Sequence, residues 1–324
     1  MSGLADFIVV GAGSAGSVVA ARLAELGAGS VAVLEAGPSD AHPLVKIPFG
    51  LVWLIGGRSR DWRFKSKPQE ALGGRTISVP RGRTIGGSGS INSMVWFRGR
   101  AADFDAWNLD EWRWETVEPV FEAVEARLTP SQFAKAHPLT KGLSKMLGGN
   151  SDEAPTPDYE SAGVFRFNMH RGRRWSAADA FLRPAQRDLP VQVLSGRNVD
   201  RLVFKNGEAC EVVLTDGTHL RANKGIILSA GSIGSPAILM RSGVGPAQAL
   251  SKLGIPVVAD APEVGENLHD HPGVGLHFVG EGSGYGLTRG QAINWLLAPF
   301  NYLFRRSGRF ASPTKNCKSG ALTI

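Results

Sequence analysis

The chain has only two cysteines, Cys210 and Cys317, in 324 residues. Two thiols build no disulfide framework and no set of metal ligands, so no metal site is expected. No apolar run approaches the roughly 20 residues of a membrane span, so none is expected. There is no stretch of signal-peptide character before the apolar run at 7–10. These absences together predict a cytoplasmic protein. Internal repeats and low-complexity tracts are also missing. What remains, 43% apolar and 20% charged residues, is the composition of a soluble globular enzyme, long enough for two domains.

Lys and Arg number 36 against 29 Asp and Glu, a net charge of +7. Much of the excess lies in two clusters: Arg75, Arg81, Arg83, Arg98 and Arg100, and then Arg171, Arg173 and Arg174. Neither has the context of a nucleic-acid reader, and no nucleic-acid partner is expected. A diphosphate or an anionic surface would attract either cluster equally well. The second reads as a solvated basic face.

Glycine is abundant, at 41 residues. Its most informative use is Gly11-Ala12-Gly13-Ser14-Ala15-Gly16, directly behind the buried strand at 7–10 and ahead of a helix over 17–26. Gly11 permits the turn, Gly13 lets backbone amides approach a pyrophosphate, and Gly16 lets helix and strand pack closely. The helix N-terminus adds partial positive charge and free N–H donors. A second apolar strand, 30–34, ends in Glu35, 24 positions after Gly11, where a carboxylate can accept from an adenosine ribose. Strand, turn, helix, strand and acid in this order point to a dinucleotide. An acid at Glu35 disfavours a 2′-phosphate, which leaves FAD or NAD.

Residues 36–80 read as a long ordered loop or lid anchored by Trp53, Trp62 and Phe64. An amphipathic helix is expected over 115–128, with Val117, Val120, Phe121, Val124 and Leu128 on its apolar face. The polar stretch 148–162 reads as a boundary. A β-meander follows, with strands at 191–194, 199–204, 211–214 and 219–222, and then a short buried strand at 225–228. A meander before a last parallel strand favours flavin over a plain NAD module.

Three further segments carry a resemblance. One runs from Pro80-Arg81-Gly82-Arg83-Thr84-Ile85-Gly86-Gly87-Ser88-Gly89-Ser90-Ile91-Asn92 to Trp96-Phe97-Arg98-Gly99 and Asp103-Phe104-Asp105. The second is Gly231-Ser232-Ile233-Gly234-Ser235-Pro236, continuing to Gly245. The third is Val264-Gly265-Glu266-Asn267-Leu268-His269-Asp270-His271-Pro272. With the N-terminal fingerprint, over about residues 5 to 313, the chain resembles the glucose–methanol–choline (GMC) oxidoreductases, most of all their choline and alcohol dehydrogenase branch.

The resemblance implies an α/β fold: an FAD-binding Rossmann-type parallel sheet with an inserted β-meander. An incomplete α+β substrate domain on an antiparallel sheet completes it. The implied divisions are 1–157 and 191–272 for the FAD domain, 158–190 and 273–324 for the substrate domain. It implies FAD as cofactor, a small alcohol as substrate, hydride transfer to flavin N5, and an electron acceptor of unspecified kind. Through that acceptor, peripheral contact with the inner membrane stays open. Gly11, Gly13, Ser14, Ala15, Gly16, Glu35 and Ala36 would hold the ADP half. Arg83, Gly86, Gly87, Asn92, Ser93, Met94 and Val95 would run along the flavin. Val199 would meet the adenine, and Ala230 and Gly231 the pyrophosphate.

Some relatives link flavin to a histidine just before this Asn. Ile91 stands there, so a non-covalent FAD is expected. The family's catalytic His and its partner lie beyond the part this chain matches, so no catalytic residue is assigned. The alternative reading is a flavin-binding or unstable fragment without turnover. Ser235-Pro236 is expected to start a helix, with Ser as N-cap and Pro at N1. Asp270-His271 reads as a domain-crossing turn. His42, His137, His170 and His219 read as ordinary surface or core residues.

Overall fold

The computed structural model describes residues 3–132, 138–146, 165–271 and 292–311. The chain divides into two compact units. One comprises Met1–Asp40, Ile55–Ser90 and Ala177–Gly280; the other comprises Ala41–Leu54, Ile91–Ser176 and Glu281–Ile324. The expected boundary at 148–162, His137, Cys317 and the tail after 311 fall outside the described residues.

The first unit is built on β1 (Ala5–Val10), α1 (Ser14–Glu25) and β2 (Val31–Glu35). All five residues of β2 are buried, as a strand covered on both faces requires. β1 and β2 run parallel, Phe7 opposite Val31 and Val10 opposite Leu34. The helix starts at Ser14, three residues earlier than the sequence suggests, because the glycine turn is finished by Gly13. Its buried face is Gly16, Ser17, Ala20, Ala21 and Ala24, small enough for the helix to lie close against its neighbours.

The rest of the sheet is β3 (Val191–Ser195), β4 (Val199–Lys205), β5 (Glu208–Leu214) and β6 (His219–Leu228), in the order β4-β5-β6-β1-β2-β3. The sheet is mixed, as the α/β expectation requires. Two details differ from the sequence reading. The segment 191–194 is not part of the meander; β3 pairs parallel with β2 at the opposite edge, Val33 opposite Val193. The separate strands expected at 219–222 and 225–228 are one strand. β6 pairs antiparallel with β5 through 219–221 and parallel with β1 from Ala222 onward. The polar Asn223-Lys224 break is a register shift opposite Ala5 and Phe7, which a strand absorbs without ending.

After β6 comes α3 (Gly231–Arg241), named so because α2 (Arg183–Asp188) precedes β3. The helix does not start at Ser235-Pro236. It starts at Gly231 and carries Pro236 inside, while the Ser235 hydroxyl accepts from the Ala230 N–H at 3.0 Å. The serine therefore satisfies a donor at the helix entrance from within the helix. At the far end Ser242 Oγ donates to the Ile238 carbonyl at 2.6 Å and accepts from the Leu202 N–H at 2.7 Å, tying α3 to β4.

The segment expected as a lid is ordered but contributes to both units. In the first, buried Asp61 accepts from the backbone N–H groups of Gly56 (2.7 Å), Arg63 (2.9 Å) and Arg81 (3.0 Å). One carboxylate thus organises three strands of loop. Trp62 and Phe64 stack with ring centroids 5.7 Å apart.

In the second unit the antiparallel elements among the described residues are two-stranded: Val95–Trp96 with Arg166–Phe167, and Met169–His170 with Arg173–Arg174. The helix Trp114–Leu128 buries Val117 and Leu128. Val120, expected on the apolar face, is 59% exposed. Glu125 on this helix accepts from Trp96 Nε1 (2.6 Å), Arg98 Nε and Nη2 (2.9 and 2.7 Å) and Arg166 Nη2 (2.8 Å). The Arg98 guanidinium, then the Trp96 and Arg166 donors, hold its carboxyl at about 2.

A depressed carboxyl contributes stability that is present above its unfolded value and lost as the pH falls through its folded value. Glu125→Gln is expected to cost about 2–3 kcal/mol at pH 7. Urea unfolding should show that gap closing between about pH 4.5 and 2, as the native carboxylate is itself titrated.

Candidate functional site

The register of the sheet sets the site. Val10 stands opposite both Leu34 and Leu228, so the turns after β1, β2 and β6 open on the same edge, at the carboxyl ends of parallel strands. Ligands bind at that edge in open α/β sheets.

At the first of these turns the Ala12 N–H donates to Glu35 Oε2 at 3.0 Å, and the Gly37 N–H to Glu35 Oε1 at 2.8 Å. Each carboxylate oxygen keeps a lone pair for a further donor. Burial pushes the Glu35 carboxyl above its usual range, against the pull of the Gly37 and Ala12 amides and of the Arg83 charge. Ser14 and Ala15, on the first turn of α1, are exposed, and their amides have no acceptor inside the helix. Gly16 packs so closely that a Cβ would overlap the Gly11 carbonyl oxygen.

The Arg83–Gly87 turn closes onto this cradle. The Gly86 N–H donates to the Ala12 carbonyl at 2.7 Å, and Thr84 Oγ1 donates to the Pro38 carbonyl at 2.8 Å. Gly87 has φ +55°, and a Cβ on it would come within 2.8 Å of Gly13 Cα, so the two glycine backbones face each other with nothing between. The Arg83 guanidinium lies 5.2 Å from the centroid of the Trp62 ring, and its Nε is buried without a hydrogen-bond partner. Ser229, whose N–H donates to the Val10 carbonyl, leads into Ala230 and Gly231 at the N-terminus of α3. Gly196 and Arg197 donate to the carbonyls of Gly37 and Glu35, which brings the loop before Val199 against the end of β2. Ala36 continues that strand end. The first unit thus gathers Gly11, Gly13, Ser14, Ala15, Gly16, Glu35, Ala36, Arg83, Gly86, Gly87, Val199, Ala230 and Gly231 around one sheet edge.

Asn92, Ser93, Met94 and Val95 belong to the second unit. Asn92 Oδ1 accepts from the Met94 N–H at 2.9 Å and from Arg174 Nη1 at 2.9 Å. Met94 has φ +63°, an uncommon conformation for a non-glycine residue, and its carbonyl accepts from the Asn168 N–H at 2.8 Å. Ile91 is buried against Val45 and Leu54.

One sequence reading is revised here, and the contacts of the remaining candidates are plain. Arg174 is not part of a solvated basic face: it is 1% exposed, while Arg173 is exposed. Successive strand residues point to opposite sides, so one of two adjacent arginines goes inside. Asp270 pairs with Arg81 Nη2 at 3.3 Å and accepts from its neighbour's N–H, which makes it a turn former. His42 caps the short helix Pro43–Lys46, His170 packs on Trp175, and His219 meets Glu211 at 3.2 Å. Among the described residues no three His, Cys, Asp or Glu side chains gather as a metal site, and no helix is long and apolar enough to cross a membrane.

A family model described as GMC oxidoreductase matches residues 5–273. Oxygen-dependent choline dehydrogenases of Rhizobium etli and Sinorhizobium medicae are 38% and 39% identical over 291 residues, 82% of this chain and 53% of each relative. The chain therefore spans about half the length of the curated relatives it matches. Among solved structures, a pyridoxine 4-oxidase from Mesorbium loti superposes with TM-score 0.69 at 32% identity, over 80% of this chain and 55% of that one. A formate oxidase variant of Aspergillus oryzae gives 0.78 at 27% identity, over 95% and 60%. The glycine cradle, the buried acid and the family match over most of its length establish that the chain belongs to the GMC oxidoreductase family.

Proposed function

We propose that this chain is the nucleotide-binding part of an FAD-dependent oxidoreductase that acts on the CH–OH group of a small alcohol. The observation that carries the reading is the Gly13–Gly87 cradle beside the two-acceptor Glu35 carboxylate. Its donor set suits FAD. The first-turn amides of α1 and α3 would meet the diphosphate, and Glu35 would accept from the adenosine ribose with its remaining lone pairs. The Arg83 guanidinium, with one unpartnered buried N–H, would meet an acceptor of the cofactor. Gly86, Gly87, Asn92, Ser93, Met94 and Val95 would run along the flavin, and Val199 would lie by the adenine. Held there, FAD would supply the acceptor for a hydride from the alcohol carbon. This chain's part is to hold the ring and offer backbone and amide donors to charge that develops on it.

No residue here is assigned the hydroxyl proton. The cofactor is held non-covalently, because Ile91 has no nucleophilic atom and packs into the interior. The curated relatives named above make choline the first alcohol to test. A cytoplasmic location is part of the same proposal, as is an electron acceptor of unspecified chemistry.

The purified chain is expected to show a flavin absorption spectrum and to release all of its flavin on acid denaturation. Anaerobic bleaching by choline would assign it the oxidative half-reaction; flavin without bleaching would leave the non-catalytic alternative. A folded, colourless protein that takes up no added FAD would overturn the proposal, and flavin retained on the denatured chain would overturn the non-covalent mode.

A further inference from the structure

Arg174 is the largest fully buried side chain among the described residues. Burying a guanidinium costs several kcal/mol unless its donors are met. Here Nε donates to the Val45 carbonyl at 3.0 Å and Nη1 to Asn92 Oδ1 at 2.9 Å. The second contact settles the orientation of the Asn92 amide. An amide can be turned over with little change in shape, and only its partners tell oxygen from nitrogen. Both partners of this atom, the Met94 N–H and the Arg174 guanidinium, are pure donors, so the atom between them is the oxygen. The amide NH2 of exposed Asn92 is then left facing away from them, with its hydrogens to give. A guanidinium does not lose its charge at any working pH, so the orientation is permanent. Its charge on the amide oxygen also strengthens the amide as a donor.

We propose that Arg174 is a positioning residue for the flavin site: it locks the Asn92 amide so that its NH2 group is presented to the cofactor. This rests on the reading that Asn92 lies along the flavin. The Met94 backbone belongs to the same device. It stands in the left-handed conformation, and its N–H donates to Asn92 Oδ1, two residues earlier. Arg174 therefore supports one side chain and, through it, one strained turn.

The test is a double-mutant cycle read as the FAD dissociation constant, by flavin fluorescence on the apoprotein, with the thermal midpoint of each apoprotein recorded alongside. Arg174→Met is expected to weaken FAD about tenfold with Asn92 present, the worth of one hydrogen bond, and to have almost no effect in an Asn92→Ala background. Asn92→Asp keeps an acceptor for both Arg174 and Met94 but has no NH2. It should weaken FAD as much as Asn92→Ala while holding or raising the thermal midpoint, a split that a purely structural role does not give.

Arg174→Lys covers the case in which the Met variant fails to fold. It keeps the charge and one donor, and is expected to lie between wild type and Met. If the arginine variants weaken FAD equally in both backgrounds, Arg174 acts only through the fold and the proposal is wrong. If Asn92→Ala leaves FAD binding intact, the placement of Asn92 along the flavin fails instead, and the inference falls with it.

Discussion

Gly16→Ala is expected to prevent the chain from folding into a form that takes up FAD. The added methyl would overlap the Gly11 carbonyl oxygen and lie 3.2 Å from Ser229 Cβ. The first obstacle is backbone, held by the β1–α1 turn, and has no rotamer to move into. Relief requires α1 to lift away from the turn. That lift would break the Ser17 Oγ bond to the Ala12 carbonyl (3.1 Å) and expose Ala20, Ala21 and Ala24. Overpacking in a rigid setting costs about 3 kcal/mol or more, a large part of the stability of an ordinary domain. The control is Gly142→Ala, in the helix Pro138–Met146, where a Cβ meets nothing within 4 Å. An exposed helical position of that kind gains up to about 1 kcal/mol from alanine. Urea midpoints and flavin content measured on both variants check the contrast; equal midpoints would mean that the turn is not the rigid element described.

The same turn explains why so much of the fold is legible in the sequence. β1, the glycine turn, α1, β2 and Glu35 follow one another within a single stretch of chain, and the Gly16 approach to Gly11 and the Ala12–Glu35 bond are made inside that stretch. The hydrophobic run of β2 has no polar residue before its last because both of its faces are covered. The family segments around Gly87 and Gly231 are legible for a related reason: they consist of residues for which backbone geometry leaves little choice.

The features that were not legible depend on partners far along the chain. Nothing local in 191–194 tells a meander strand from a parallel edge strand, since the choice is made by β2, more than 150 residues earlier. The Asn223-Lys224 dipeptide looks like a break, yet β6 passes from one partner strand to another there. Arg174 looks like one of three solvated cations, and its burial follows from Val45 and Asn92, distant by 129 and 82 positions. Glu125 belongs with these. Its helix was expected, but its three partners come from two other segments. Polar groups held by hydrogen bonds to distant segments carry no hydrophobic signature, so periodicity does not find them.

Glu35 carries the second large effect, and it is separable from Glu125 by the sign of its pH dependence. Glu35→Gln is expected to weaken FAD binding by about 10- to 100-fold and to destabilise the chain by about 1–3 kcal/mol. Glutamine has one acceptor oxygen where the carboxylate uses two. Its NH2 would be set against either the Ala12 or the Gly37 N–H, donor against donor. The native Glu35 carboxyl is raised, chiefly by burial, so the free protein holds its proton more tightly than the unfolded chain does. That contribution to stability is fully present below the unfolded value and is lost as the pH rises through the folded one. Ribose recognition runs the other way, since it uses the ionised, acceptor-only carboxylate. FAD affinity should therefore climb as the pH rises through a range above that of an ordinary glutamate, while the Glu125 cluster, held at about 2, stays fully ionised throughout. In Glu35→Gln the climb should be absent. Titrating FAD into wild-type and variant apoprotein between pH 4.5 and 8 decides it: a variant that keeps the wild-type pH profile would place the titrating group elsewhere and remove Glu35 from the ribose site.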